Sequence, residues 1–149
     1  MKASHDLFCY GTLEFPAVME AVAGRRFPAL KAVLPGYRRL AVKGRAFPGA
    51  IAQAGADVGG TLYRGLTAAH LRRLDVYETA LYRRRRLRVR DAAGRSRRVW
   101  VYVVPFMYRH RLGTSDWSPV AFLRCDHALH VRRLRRRRRR GMVRGCHLG

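Results

Sequence analysis

A mixed fold of strands and helices in one domain is what the sequence predicts, and three observations carry it. Short apolar or alternating runs bounded by Gly and Pro read as strands, whereas segments with apolar residues at helical spacing behind Pro, Ser or Thr read as helices. The two kinds of segment are interspersed from end to end. A chain of 149 residues with 48% hydrophobic content is one domain's worth and has enough apolar mass for a core.

The first strand lies in Leu7 to Tyr10, apolar or aromatic residues that suit burial on both faces, and it ends abruptly at Gly11. Phe15 to Ala23 predicts a short helix, with Pro16 near its start, Val18, Met19 and Val22 on one face and Gly24 as its stop. Ala29 to Leu34 and Tyr37 to Lys43 read as strands, interrupted at Pro35-Gly36 by a bend or hairpin connection. Gly44 to Ala56 suggests an irregular approach to a further strand, Val58 to Leu66, whose Gly59-Gly60 pair marks a bulge or a close backbone contact. Thr67 then caps a helix over Ala68 to Tyr77 with Leu71 and Leu74 facing inward.

Tyr82 to Arg90 alternates: Leu87 and Val89 point one way, and Arg84, Arg86, Arg88 and Arg90 the other. A turn at residues 91–94 leads back through Val99 to Val104, so these two segments predict a hairpin. Pro105 to Trp117 is loop-like, and Ser118-Pro119 opens a helix reaching about Val131. Leu134 and the arginines beyond it either prolong that helix or fray. The expected organisation is a domain over residues 1–131 and an Arg-rich tail over 132–149, mobile and dispensable for folding.

Charge is the unusual feature, with 32 Lys plus Arg against 9 Asp plus Glu and a formal net charge of +23. Eight arginines fall between Arg132 and Arg140, yet the rest of the chain stays basic without them. Attraction to nucleic acid or other polyanions follows from such a balance, as does a merely solvated basic surface. No apolar run approaches a membrane span, and Asp6 falls where a signal peptide would continue its apolar stretch, so a cytoplasmic location is expected. Three cysteines without framework spacing, Cys9, Cys125 and Cys146, predict free thiols. Cys125, His127 and His130, with Cys146 and His147 further on, offer soft ligands at a spacing that fits no common structural zinc site.

Two places could carry chemistry. Gly11 brings main-chain N–H groups within reach of a partner, and the amides of Gly11, Thr12 and Leu13 could hold a polarised oxygen, though an ordinary strand-to-turn junction reads the same way. Among the few carboxylates, Glu78 stands in LDVYETALY between apolar and aromatic residues. Desolvation there raises its pKa, which suits a general acid and base, while Arg83 to Arg86 pull toward an ordinary ion pair. Asp57, Asp91 and Asp116 sit in turns and have routine surface readings.

The blocks LFCYGTL, LPGYRRLAVKGRAFP, VGGTLYRGL and LDVYETALYRR resemble, in order, the γ-glutamylcyclotransferase-like superfamily and most nearly its AIG2-like branch. The resemblance implies a compact α+β fold, a small mixed β-barrel with flanking helices. It implies that Tyr10, Gly11, Thr12 and Leu13 form the substrate-binding loop, that Glu78 is the acid–base group, and that Tyr82 is the aromatic residue following it. Family members cyclise a γ-glutamyl group to 5-oxoproline and release an amine or amino acid, with no metal or organic cofactor. The chain departs from the family by Glu14-Phe15-Pro16 after the loop and by its tail. Two other functions stay open on sequence: a non-catalytic module of the same fold that binds a small anionic ligand, and a polyanion-binding protein acting through its arginines.

Overall fold

A computed structural model describes residues 4–139. Five strands close into one barrel in the order β1 (His5–Cys9), β3 (Pro48–Leu66), β2 (Ala29–Ala41), β4 (Arg83–Asp91), β5 (Ser96–Val103). Every pairing is antiparallel except β1 with β5, where Leu7 pairs Trp100 and Phe8 pairs Val101 in parallel. Closure removes free sheet edges, and the one parallel seam makes the barrel mixed. Among the described residues four α-helices flank it: α1 (Pro16–Ala23), α2 (Ala68–Glu78), α3 (Pro119–Cys125) and α4 (His127–Arg139).

Strand alternation divides the apolar residues into two cores. Phe8, Tyr10, Leu34, Ala50, Val58, Leu62, Val99, Val101 and Val103 fill the barrel, while Leu7, Cys9, Tyr63, Leu66 and Tyr102 point out against Val18, Met19, Val22, Leu71, Leu74 and Leu134 of the helices. The β1 run is therefore apolar on both faces because both faces are covered.

Local signals held where their partners are local. Gly24 ends α1 at φ 96°, Thr67 accepts a hydrogen bond from the His70 amide at the start of α2, and Ser118 does the same for Ala121 at the start of α3. The β4–β5 hairpin turns at Asp91, which is buried rather than superficial. Its carboxylate accepts from the Arg97 side chain and from the Arg95 and Ala93 amides, and these donors, Arg97 foremost, hold its pKa below the usual carboxylate range.

Three expectations need correction. Pro35-Gly36 does not divide two strands: β2 runs through it. The register jumps from Pro35–Asp57 to Tyr37–Ala52, and residues 53–56 of β3 bulge out with Gly36 and Gly55 both at φ 80°. The bulge absorbs the missing Pro N–H that would have interrupted a regular ladder. In the same way β3 is one strand of 19 residues, and Gly60 in it is a close-contact glycine: a Cβ there would collide with the Cys9 carbonyl and the Phe8 ring. The last helix is broken at Asp126, a residue type suited to helix ends, into α3 and α4.

The expected boundary at Val131 falls inside a packed helix. α4 continues to Arg139, buries Leu134 at 1% exposure, and donates from Arg138 to the Glu20 carbonyl of α1. One apolar residue among arginines suffices because it sits one helical turn after His130 and Val131, on the same face. Residues 140–149, with the rest of the expected tail and with Cys146 and His147, lie outside the described residues.

Candidate active site

At one end of the barrel a narrow cavity of about 30 Å³ is lined by the segment from Phe8 to Leu13, by Phe47 and Pro48, by Tyr77 and Glu78, and by Tyr82 and Tyr102. All six residues singled out from sequence, Tyr10, Gly11, Thr12, Leu13, Glu78 and Tyr82, border this one space. Strand β1 delivers the loop, and the C-terminal end of α2 delivers the carboxylate.

The loop is a single 3-10 turn, Thr12–Glu14, and its carbonyls are all engaged. Gly11 O accepts from the Glu14 amide, Thr12 O from the Phe15 amide, and the Tyr63 hydroxyl donates to both Leu13 O and Glu14 O at 2.7 and 2.9 Å. The amides of Gly11, Thr12 and Leu13, by contrast, meet no acceptor among the described residues. Orphan donors are the expected state of a helical first turn, and here they border a cavity. Gly11 is required by space: a Cβ would come within 2.9 Å of the Pro48 ring. Tyr10 is locked beneath the loop, donating to the Tyr102 carbonyl and accepting from the Ala50 amide, while Arg39 donates to its carbonyl.

Glu78 lines the cavity and is half-buried. Burial, reinforced by the Asp75 carboxylate one turn earlier, pushes its carboxyl from the ordinary 4.5 up to about 8. No hydrogen bond or ion pair to its carboxylate occurs among the described residues. The ion pair weighed from the neighbouring arginines goes elsewhere: Arg84 binds Asp75 through both carboxylate oxygens at 2.8 and 3.2 Å. Asp75 also accepts from Tyr102 at 2.6 Å, so the lower of the two α2 carboxylates is fully occupied and the cavity-facing one is not.

Thr79, directly after Glu78, has φ 67° and ψ −174°, a conformation that normally belongs to Gly. It is the only non-Gly residue with positive φ among the described residues. The strain, of order 1–3 kcal/mol, ends α2 sharply and turns the chain toward Tyr82, whose hydroxyl donates to Pro48 O on the opposite wall.

Sequence reading missed Asp75, Tyr77, Tyr102, Phe47 and Pro48. Asp75 carried a usable signal, being three residues before Glu78 on one helix. Tyr102, the hydroxyl in an otherwise apolar VWVYVV strand, carried a weaker one. Cys9 also borders the cavity, but burial, and then Glu78 and Glu14, push its thiol well up, so it stays a neutral wall residue. His130, weighed as a soft ligand, is buried and bonded to Tyr77 at 2.7 Å.

A small closed barrel with flanking helices, with a carboxylate facing a glycine loop at its mouth, is the class of domain this geometry defines. The chain belongs to the AIG2-like γ-glutamyl cyclotransferase family: the family described as "Gamma-glutamyl cyclotransferase, AIG2-like" matches residues 7–119. AIG2-like protein C of Arabidopsis thaliana is 35% identical over 88 residues, 59% of this chain and 51% of the relative. AIG2-like protein A of the same plant is 32% identical over 80 residues, 54% and 48%. The chain thus spans about half the length of the curated relatives it matches. An Arabidopsis thaliana protein solved in solution superposes with a TM-score of 0.67 at 26% identity, covering 95% of this chain and 86% of that one. A γ-glutamyl cyclotransferase shares the fold at a TM-score of 0.61 and 16% identity, covering 69% and 68%.

Proposed function

We propose that the protein is a cofactor-independent γ-glutamylcyclotransferase acting on a small γ-glutamyl amide. The observation that carries this reading is the pairing across one cavity of a desolvated, unpartnered Glu78 with a loop whose carbonyls are engaged and whose amides are not. In this reading the Glu78 carboxylate takes a proton from the substrate's α-ammonium, and the freed nitrogen attacks the γ-carbonyl carbon. The carbonyl π pair moves to oxygen, where the amides of Gly11 to Leu13 stabilise it. The tetrahedral adduct then collapses and the C–N bond to the leaving amine breaks. That nitrogen collects the two protons shed by the attacking one, the first by way of Glu78. The products are 5-oxoproline and an ammonium, and Glu78 is again a carboxylate. Tyr10 and Tyr82 shape the walls.

The family membership and the shared fold of known cyclotransferases support this reading. A screen of γ-glutamyl amines and dipeptides for release of 5-oxoproline tests it, and at least one compound should turn over. If none does while one binds in the cavity, the protein is a binding module of the same fold.

A second reading, binding of nucleic acid through arginines, is favoured by one surface. On the outer face of the β4–β5 hairpin, Arg86, Arg88, Arg90 and Arg98 are exposed and form no ion pair among the described residues, and Arg88 faces Arg98 directly across the ladder. Like charges opposed in this way repel unless an anion lies between them. Replacing Arg86, Arg88 and Arg98 together by Ser should lower the salt concentration that elutes the protein from immobilised DNA. Unchanged retention would remove this face as the cause.

A further inference from the structure

Three residues from three elements form a continuous hydrogen-bonded chain behind the cavity. The Thr12 hydroxyl of the loop lies 2.7 Å from the Tyr77 hydroxyl of α2, which lies 2.7 Å from Nε2 of His130 in α4. Thr12 and Tyr77 both border the cavity, whereas His130 does not. All three are buried, at 6%, 2% and 2% exposure. His130 is set edge-on to Phe122 of α3 and to Tyr77, with ring centroids 5.7 and 5.9 Å away, so its ring has little freedom to turn.

We propose that His130 is a positioning residue for the reaction: through Tyr77 it fixes the Thr12 hydroxyl, and with it the turn that presents the loop amides. The inference rests on the reading that those amides hold the reacting carbonyl. Its physical basis is that the loop is clamped from two sides. Tyr63 pins the carbonyls of Leu13 and Glu14, and the Tyr77 hydroxyl, backed by His130, engages the Thr12 side chain. A buried hydroxyl pair needs a third partner to satisfy both oxygens and both protons, and the imidazole supplies it. Burial, and then the neighbouring His127, Arg137 and Arg133, push the pKa of His130 down to about 4, so at neutral pH it is an uncharged partner with one ring nitrogen able to accept. In this way the arginine-rich α4, which supplies no residue to the cavity wall, still completes the site from behind.

The test compares His130→Phe, which keeps the ring and removes the polar partner, with His130→Gln, whose amide can restore it. Leu134→Ala is the control, since it weakens the same helix without touching the chain of hydroxyls. Amide hydrogen exchange at Glu14 and Phe15, whose amides bond to Gly11 O and Thr12 O within the turn, and steady-state kinetics on a γ-glutamyl amide are the readouts. His130→Phe should speed exchange in the loop and lower kcat about tenfold with a smaller change in KM, the scale of one lost buried hydrogen bond, and His130→Gln should recover most of both. Leu134→Ala should leave loop exchange at the wild-type rate under conditions where both proteins are folded. Equal loop exchange in His130→Phe and Leu134→Ala, or a folded His130→Gln without recovery, would overturn the proposal. Should His130→Phe not fold, Tyr77→Phe cuts the same chain and must loosen the loop. Hydrogen exchange decides the matter even if no γ-glutamyl compound is turned over, a result that would sink the cyclotransferase reading alone.

Discussion

Thr79 and Glu78 belong together: a strained residue ends the helix at the point where it leaves a carboxylate facing the cavity. Thr79→Gly removes the strain at some cost in unfolded-chain entropy, so urea unfolding should register a gain of up to about 1 kcal/mol, while turnover falls because the carboxylate is less firmly aimed. A loss of stability would show that Thr79 makes a contact worth more than its strain. Glu78 has its own signature in stability. Its pKa in the folded protein, about 8, lies above its ordinary value of 4.5, so between these the native state holds a proton that the unfolded chain releases. The stability it contributes is complete below about pH 4.5 and is lost as pH rises toward 8. Its desolvated setting was legible because its apolar neighbours are adjacent in sequence. The partners of Asp75, Tyr77 and Tyr102 are not: Tyr102 meets Asp75 across 27 residues, and Tyr77 meets Thr12 across 65.

Elements followed the same division. The β4–β5 hairpin, α1 and the capped start of α2 were legible because turn and cap residues act on their own neighbours. The long β2 and β3 were not, because each is held straight by the other across a bulge that no local residue announces. The arginine run misled most. Composition argues against a packed helix there, but the single Leu134 completes an apolar stripe with His130 and Val131. A chain ending at Val131 should therefore lose about 2–5 kcal/mol, the range for deleting one large core side chain, and its thermal midpoint should fall accordingly. An unchanged midpoint would mean that α4 beyond Val131 adds nothing to the fold.

At the scale of the whole molecule, barrel closure is what makes a site. The parallel β1–β5 seam sets the end of β1 beside β5, and the loop leaves β1 there to face the end of α2 across Pro48. No stretch of sequence contains this arrangement. The motifs YGTL and YETALY name its two halves, and the resemblance to a family joins them, but the cavity walls come from positions 47–48 and 102 as well. The most direct measurement is 5-oxoproline release by wild type and Glu78→Gln as a function of pH. The account predicts that wild-type kcat/KM rises about tenfold per pH unit and levels off near pH 8, while Glu78→Gln, folded, is slower by about a hundredfold or more and lacks that rise. A Glu78→Gln protein that turns over the substrate at the wild-type rate would contradict it.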